Sequence, residues 1–234
     1  VVLNSIAYSN PDFCEINKEE VYALHVKITE KITALCSKIN SKIVFLSTDY
    51  VFDGKKGNYV ENDETNPINY YGYSKDLAEK ITLKNKNNLV LRTAMVYGLS
   101  SKVRFLLYVI ENLRENKEIN AYDDIFNSAT LLDDLTNGIS KAIEFDANGI
   151  YHMVGSSCVS RFDFAKTVAK VFNFNENLVK PVSILSAKLK AKRPINPCLN
   201  NSKASKTFGI KFSSINEGIK QIYERRSDLG IFGI

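Results

Sequence analysis

The feature that most restricts the fold is an apolar run, Ile43-Val44-Phe45-Leu46, that passes directly into Ser47-Thr48-Asp49. A strand exposed on one side alternates apolar with polar residues, whereas a run apolar at every position is buried on both faces, as in a parallel sheet covered by helices. Around it the pattern alternates. Val1 to Leu3 reads as a strand. From Glu15 to Ile39 the residues Val21, Leu24, Ile28, Ile32, Leu35 and Ile39 recur at helical spacing and predict one long helix with a single buried stripe. A helix is expected over 69–84, a strand over 89–92, and helices over 102–115 and 131–145. Alternating strands and helices define an α/β chain with a doubly wound parallel sheet. After Gly149 come a short strand at Ile150 to His152 and a helix carrying Phe162, Ala165, Val168, Ala169 and Phe172. Pro181, Pro194 and Pro197 then interrupt the regularity before a last helix over 215–225. The expected division is a sheet-bearing body over 1–149 and a smaller lobe of helices and loops over 150–234, with 95–117 contributing to the lobe.

At 234 residues the chain accommodates two such lobes at most. A formal charge of +5 suits an anionic nucleotide ligand. It does not read as nucleic-acid binding, because Lys38, Lys84, Lys86 and Lys102 fall near helix ends and the dense run 188–193 lacks interleaved aromatic residues. No apolar stretch reaches the roughly 18 residues that span a bilayer, and residues 1–4 do not resemble a signal peptide, so the expected setting is the cytoplasm, with no membrane partner. Cys14, Cys36, Cys158 and Cys198 are scattered without a CxxC pair, and only His25 and His152 accompany them. They are expected to be reduced, structural thiols, and no metal is expected.

The chemistry concentrates in Tyr71-Gly72-Tyr73-Ser74-Lys75, at the start of the 69–84 helix. A spacing of four puts Tyr71 and Lys75 on one face. A free phenol, with a pKa near 10, is a poor acid at neutral pH; an adjacent ammonium and a nicotinamide cation are both expected to lower it, so that Tyr71 can protonate a carbonyl oxygen as hydride arrives. With twelve tyrosines in the chain, such a pair is expected about once by chance, so the spacing alone is a weak signal. The context strengthens it. Ser47, Thr48 and Asp49 stand just past the carboxyl end of a parallel strand, the edge where open α/β sheets bind ligands, and Thr48 can hydrogen-bond the oxygen that Tyr71 protonates.

The blocks STDYVFDG, NPINYYGYSK and LRTAMVYG, in this order and spacing, resemble the extended short-chain dehydrogenase/reductases, and within them the reductases of dTDP-4-dehydrorhamnose. Further agreement lies in Asn4 to Tyr8, Ala129 to Leu135, Tyr151 to Gly155, and Arg193-Pro194. The resemblance implies a Rossmann-like sheet and NADPH or NADH as cofactor. It further implies hydride transfer to the C4 ketone of a nucleotide-linked deoxy sugar and assembly as a homodimer. It makes Thr48, Tyr71 and Lys75 catalytic, with Lys75 also on the nicotinamide ribose. Ser5, Ile6, Tyr8 and Ser47 would join Tyr71 and Lys75 along the cofactor, and Asp49, Met95 and Arg193 would line the nucleotide-sugar side.

The sequence also departs from that family. The glycine-rich turn and first strands that hold the cofactor pyrophosphate are not in the chain, so a fragment is expected, with a strand at residues 1–3 whose apolar edge is unpaired. Ser5 and Ile6 stand where small alanines are usual, Met95 where an aromatic residue is common, and His25 where an asparagine often sits. His25 reads as a helix residue with a backbone partner or as a proton relay; His152 reads as structural. Two other functions stay open: a neighbouring sugar-nucleotide epimerase or dehydratase, and a non-catalytic binding protein like the regulatory subunit of methionine adenosyltransferase.

Overall fold

The computed structural model describes residues 1–100 and 104–225. The chain opens with β1 (Val2–Asn4), α1 (Pro11–Ile16), α2 (Lys18–Tyr22), a π-helical segment (Ala23–Lys27) and α3 (Ile28–Lys38). Next come β2 (Ile43–Thr48), a 3₁₀ turn (Asp49–Val51), α4 (Tyr70–Thr82), β3 (Leu89–Thr93), β4 (Val96–Tyr97) and α5 (Arg104–Arg114). They are followed by β5 (Ile119–Tyr122), β6 (Phe126–Leu131), α6 (Leu132–Glu144), β7 (Gly149–His152), β8 (Ser157–Ser160) and α7 (Arg161–Val171). Last are β9 (Val179–Val182), α8 (Ser202–Phe208) and α9 (Ile215–Glu224). The sequence-based start of α5 at Lys102 lies outside the described residues.

The main sheet has the order β1-β2-β3-β7 and is parallel throughout. Its apolar strands divide their side chains between two layers. Ile43, Phe45 and Val90 pack with Cys36 of α3 and Ala78 of α4, whereas Val44, Leu89 and Leu91 pack with α6 and α8 through Leu135, Ala142, Ala204 and Phe208. This is the double-sided burial that the apolar run demanded. β1 ends the sheet, with β2 as its one neighbour.

A second core gathers α5, α7 and α9 around Leu106, Ile110, Phe164, Val168, Ile219 and Ile222. Its strands form separate small sheets, β5 with β9 in parallel and β8 antiparallel to β6. The strand that opens the 150–234 stretch, β7, lies in the main sheet, and α8 packs on it.

Two expectations need correction. The long helix is divided: Asn17 interrupts it between α1 and α2, and a π-helical turn lies between α2 and α3. A π turn inserts one residue and rotates the buried face, so Val21, His25, Val26, Thr29 and Cys36 point inward, while Leu35 and Ile39 are 61% and 73% exposed. The cysteines are not all free thiols either. Cys158 of β8 and Cys198 form a disulfide, with their Cα atoms 5.8 Å apart. The 40 intervening residues hid the pair from any spacing argument; what joins it is the fold, which lays the 196–199 segment beside β6 and β8 through hydrogen bonds between Leu199 and Ser128. Cys14 and Cys36 remain free and buried, and burial pushes the Cys14 thiol up to about 11.

Candidate active site

The parallel register sets Thr48 of β2 beside Thr93 of β3, both at the carboxyl ends of their strands. The chain then turns through Asp49–Val51, with Thr48 Oγ1 accepting from the Tyr50 amide. α4 starts against this turn. Asn69 caps it by accepting from the Gly72 amide at 2.9 Å, and Gly72 is required because a Cβ there would stand 2.0 Å from the Tyr50 carbonyl oxygen. That close approach carries Tyr71, one residue earlier, to the same cleft as the Thr48 hydroxyl, close enough for Thr48 to act on the phenol.

Thr48 and Tyr71 line one cleft of about 620 Å³, whose walls also include Thr93, Met95, Asn127, Arg161 and Arg193. Thr93 Oγ1 is buried there without a hydrogen-bond partner. Met95 adopts a left-handed backbone, φ 36°, at the exit from β3, a conformation uncommon for a residue with a side chain.

The remaining expected residues are placed as follows. Asp49 lines the cleft, but its carboxylate accepts from Thr48 Oγ1 at 3.0 Å and from Asn127 Nδ2 at 2.8 Å. Burial pushes its pKa up to about 6 despite these bonds. Arg193 donates to Asp12 Oδ2 at 2.9 Å and to the Ala191 carbonyl at 2.8 Å. Ser47 lines the cleft too, with its hydroxyl donating inward to Glu79. Ser5 and Ile6 are exposed on the loop after β1, outside the cleft wall, and Tyr8 directs its phenol to Glu20.

Lys75 shares the inner face of α4, but its ammonium donates to the Leu46 carbonyl at 2.7 Å and lies 4.0 Å from the centre of the Phe45 ring. It is not part of the cleft wall, and burial pulls its pKa down to about 7. With the ammonium held there, the Tyr71 phenol is not lowered in this structure. Burial raises it instead, because nothing places the Lys75 charge on the phenolic oxygen and the neighbouring Asp49 adds to the rise.

His25 accepts from the Tyr8 amide at Nε2, 2.8 Å, so its proton sits on Nδ1 and is donated to Ser74 Oγ at 2.7 Å. Ser74 Oγ passes its own proton to the Tyr71 main-chain carbonyl, not to the phenol. Burial and the Lys75 charge lower His25 to about 4, leaving a neutral ring that fastens the Tyr8 loop to α4. His152 is buried between Arg92 and the Asn200 carbonyl and is structural.

Asn127, Arg161 and Thr93 were not expected at this site. A signal for Arg161 was present: it follows the helix-capping pattern Ser160-x-x-Asp163, so it is a cation on the first turn of a helix, where the helix dipole disfavours it. Asn127 and Thr93 carried no comparable mark.

The chain is similar to known proteins over most of its length. The chain is 30% identical over 235 residues to the dTDP-4-dehydrorhamnose reductase of Aggregatibacter actinomycetemcomitans, covering 95% of this chain and 80% of that protein. The crystal structure of dTDP-4-dehydrorhamnose reductase from Bacillus anthracis in complex with NADP superposes with a TM-score of 0.89 at 28% identity, over 95% of this chain and 79% of that one. A hypothetical dTDP-4-dehydrorhamnose reductase from Sulfolobus tokodaii gives 0.83 at 36% identity, over 92% and 76%. The model of the RmlD substrate binding domain matches residues 1–227, and the chain belongs to that family.

Proposed function

We propose that the chain reduces the C4 ketone of dTDP-4-dehydrorhamnose to give dTDP-rhamnose, with NADPH or NADH as reductant. One observation carries this reading: the Thr48 hydroxyl and the Tyr71 phenol meet at the carboxyl end of a parallel sheet, in a cleft large enough for a sugar. The residues present fit a nicotinamide group, since Thr93 Oγ1 is a buried hydroxyl without a partner on the same wall, and a carboxamide or ribose hydroxyl would satisfy it. When bound, that cofactor supplies the hydride.

The chain's own groups handle the oxygen and its proton. Because burial raises the Tyr71 phenol, Tyr71 is protonated throughout the neutral range, the state needed to donate to the carbonyl oxygen during reduction. Thr48 orients that oxygen, and Asp49, itself gripped by Asn127, holds Thr48 in position. Lys75 keeps its proposed role at the nicotinamide ribose: its ammonium has three N–H donors, and the Leu46 carbonyl takes one of them. Asp49, Met95 and Arg193 remain the proposed sugar-nucleotide wall. The α5, α7 and α9 layer would form the substrate lobe. The cofactor segment assigned to Ser5, Ile6, Tyr8 and Ser47 rests on the family resemblance alone.

The orientation of Lys75 favours a second reading, a binding protein without catalysis, and one experiment separates the two. Nicotinamide absorbance is followed with dTDP-4-dehydrorhamnose for the full-length gene product, as parent and as Tyr71→Phe. The reductase reading expects the substitution to lower kcat by about 10² to 10⁴. Undiminished turnover in Tyr71→Phe would remove the phenol from the mechanism, and an inactive parent would favour the binding reading.

A homodimer and a cytoplasmic setting belong to the same proposal. Exposed Leu35 and Ile39 on α3 support the first, which light scattering tests. The Cys158–Cys198 bridge narrows the second, because disulfides persist in oxidising compartments or inside hyperthermophiles. Among the described residues no helix is long and apolar enough to cross a membrane.

A further inference from the structure

Two arginines line the cleft, and they are held differently. Arg193 is fastened by Asp12, which also accepts from the amides of Lys190 and Ala191. Its guanidinium thus ties α1 to the 190–193 segment. Arg161 is half-buried, and among the described residues its side chain has neither an ion pair nor a hydrogen bond; its one contact of note is the Phe105 ring, whose centre lies 4.6 Å from Cζ. Asp49 is its nearest carboxylate in electrostatic terms, yet both Asp49 oxygens are already engaged by Thr48 and Asn127. Removal from water lowers the Arg161 pKa below the ordinary range, as befits a cation without full compensation.

Its position deepens the puzzle. Arg161 is the first residue of α7, where a positive side chain opposes the helix dipole, and Ser160 and Asp163 already complete the helix cap without it. Among the described residues the charge meets the Phe105 ring and the field of Asp49, and no carboxylate hydrogen-bonds it. A planar fork of five N–H donors, stacked on a ring and directed to a cleft, is suited to the paired oxygens of a phosphate.

We propose that Arg161 grips the diphosphate of the nucleotide-sugar substrate, with Arg193, held by Asp12, completing the same anion site. The inference rests on the reductase reading for the identity of the ligand. Within that ligand the 6-deoxy sugar is uncharged, so the diphosphate is the anion available to a guanidinium. The substrate's diphosphate is chosen over the cofactor's because Arg161 belongs to the α5, α7 and α9 layer, on the side of Met95 and Asn127.

The test is calorimetric titration of the full chain with dTDP, UDP, GDP, thymidine and NADPH, for the parent, Arg161→Gln and Arg161→Lys. Arg161→Gln should weaken dTDP by about 10- to 100-fold, with Arg161→Lys between it and the parent, while thymidine and NADPH stay within about twofold. In turnover, KM for the nucleotide sugar should rise with kcat nearly unchanged. Equal dTDP affinity in parent and Arg161→Gln overturns the proposal, as does an equal loss for thymidine, which would mean a structural role. A loss confined to NADPH overturns it in favour of the cofactor. If the parent prefers UDP or GDP and Arg161→Gln loses that ligand, the role of Arg161 stands and the dTDP reading falls. A parent that binds none of these nucleotides overturns both.

Discussion

Arg92, below the carboxyl end of β3, and Arg161, across the cleft at the start of α7, are both guanidinium groups drawn away from water, but their surroundings differ. Arg92 is 2% exposed and gives Glu79 two charged hydrogen bonds, from Nε to Oε1 at 3.0 Å and from Nη2 to Oε2 at 2.7 Å. The Phe52 ring covers it at 5.0 Å, and Ser47 completes the Glu79 oxygens. Arg161 also lies on a ring but has no carboxylate of its own. A buried charge that is fully paired belongs to the architecture, and removing one partner leaves the other exposed to the whole cost of desolvation. A charge without a partner invites one from outside. The same contrast separates Thr48, which is hydrogen-bonded to Asp49 and to the Tyr50 amide, from its neighbour in register, Thr93, whose hydroxyl has no partner among the described residues.

The largest effect expected from this contrast is on stability. Arg92→Met should cost about 3 to 5 kcal/mol in urea denaturation by stranding Glu79, whereas Arg161→Gln should cost under about 1 kcal/mol. Equal losses would show that Arg161 is structural too.

Asp49 comes next. An acid whose pKa is raised from 3.8 to about 6 on folding binds more protons in the native state, so its contribution to stability is greatest below pH 4 and is lost as the pH rises to 6. Asp49→Asn should therefore flatten the stability profile between pH 4 and pH 6 and raise stability at pH 7 by on the order of 2 kcal/mol. A slope that survives the substitution belongs to another group.

The smallest effect concerns Thr93. Replacing an unpartnered buried hydroxyl with a methyl group of similar shape removes an unmet bond, so Thr93→Val should leave the free protein as stable as the parent or more stable by about 1 kcal/mol. Under the reductase reading it should also weaken NADPH. Thermal melting that places the variant well below the parent would give Thr93 a partner in the free protein.

Much of the fold was legible because burial on both faces leaves a direct trace: Ile43 to Leu46 and Leu89 to Leu91 had no polar position to spare, and both are strands of the parallel sheet. Thr48 and Tyr71 were legible for a related reason, since each lies next to a strong local signal, a strand end and a helix start. The division of the long helix was not. A π turn has no residue signature, and the apolar stripe through Leu35 and Ile39 is equally consistent with an unbroken helix. The Cys158–Cys198 pair and the contact of Asn127 with Asp49 join distant segments, so only tertiary packing reveals them. The orientation of Lys75 was hidden by competition: its ammonium could reach the phenol or the Leu46 carbonyl, and a spacing of four does not choose between them.

The disulfide has a mechanical consequence. It closes a hoop running from residue 158 to residue 198, and both Arg161 and Arg193 lie on that hoop. While the bond is intact the two ends of the hoop stay together, and Arg161, three residues from one end, and Arg193, five from the other, are kept near each other by a covalent link. Cutting the bond would remove that link while leaving Arg193 on Asp12 and Arg161 on the Phe105 ring.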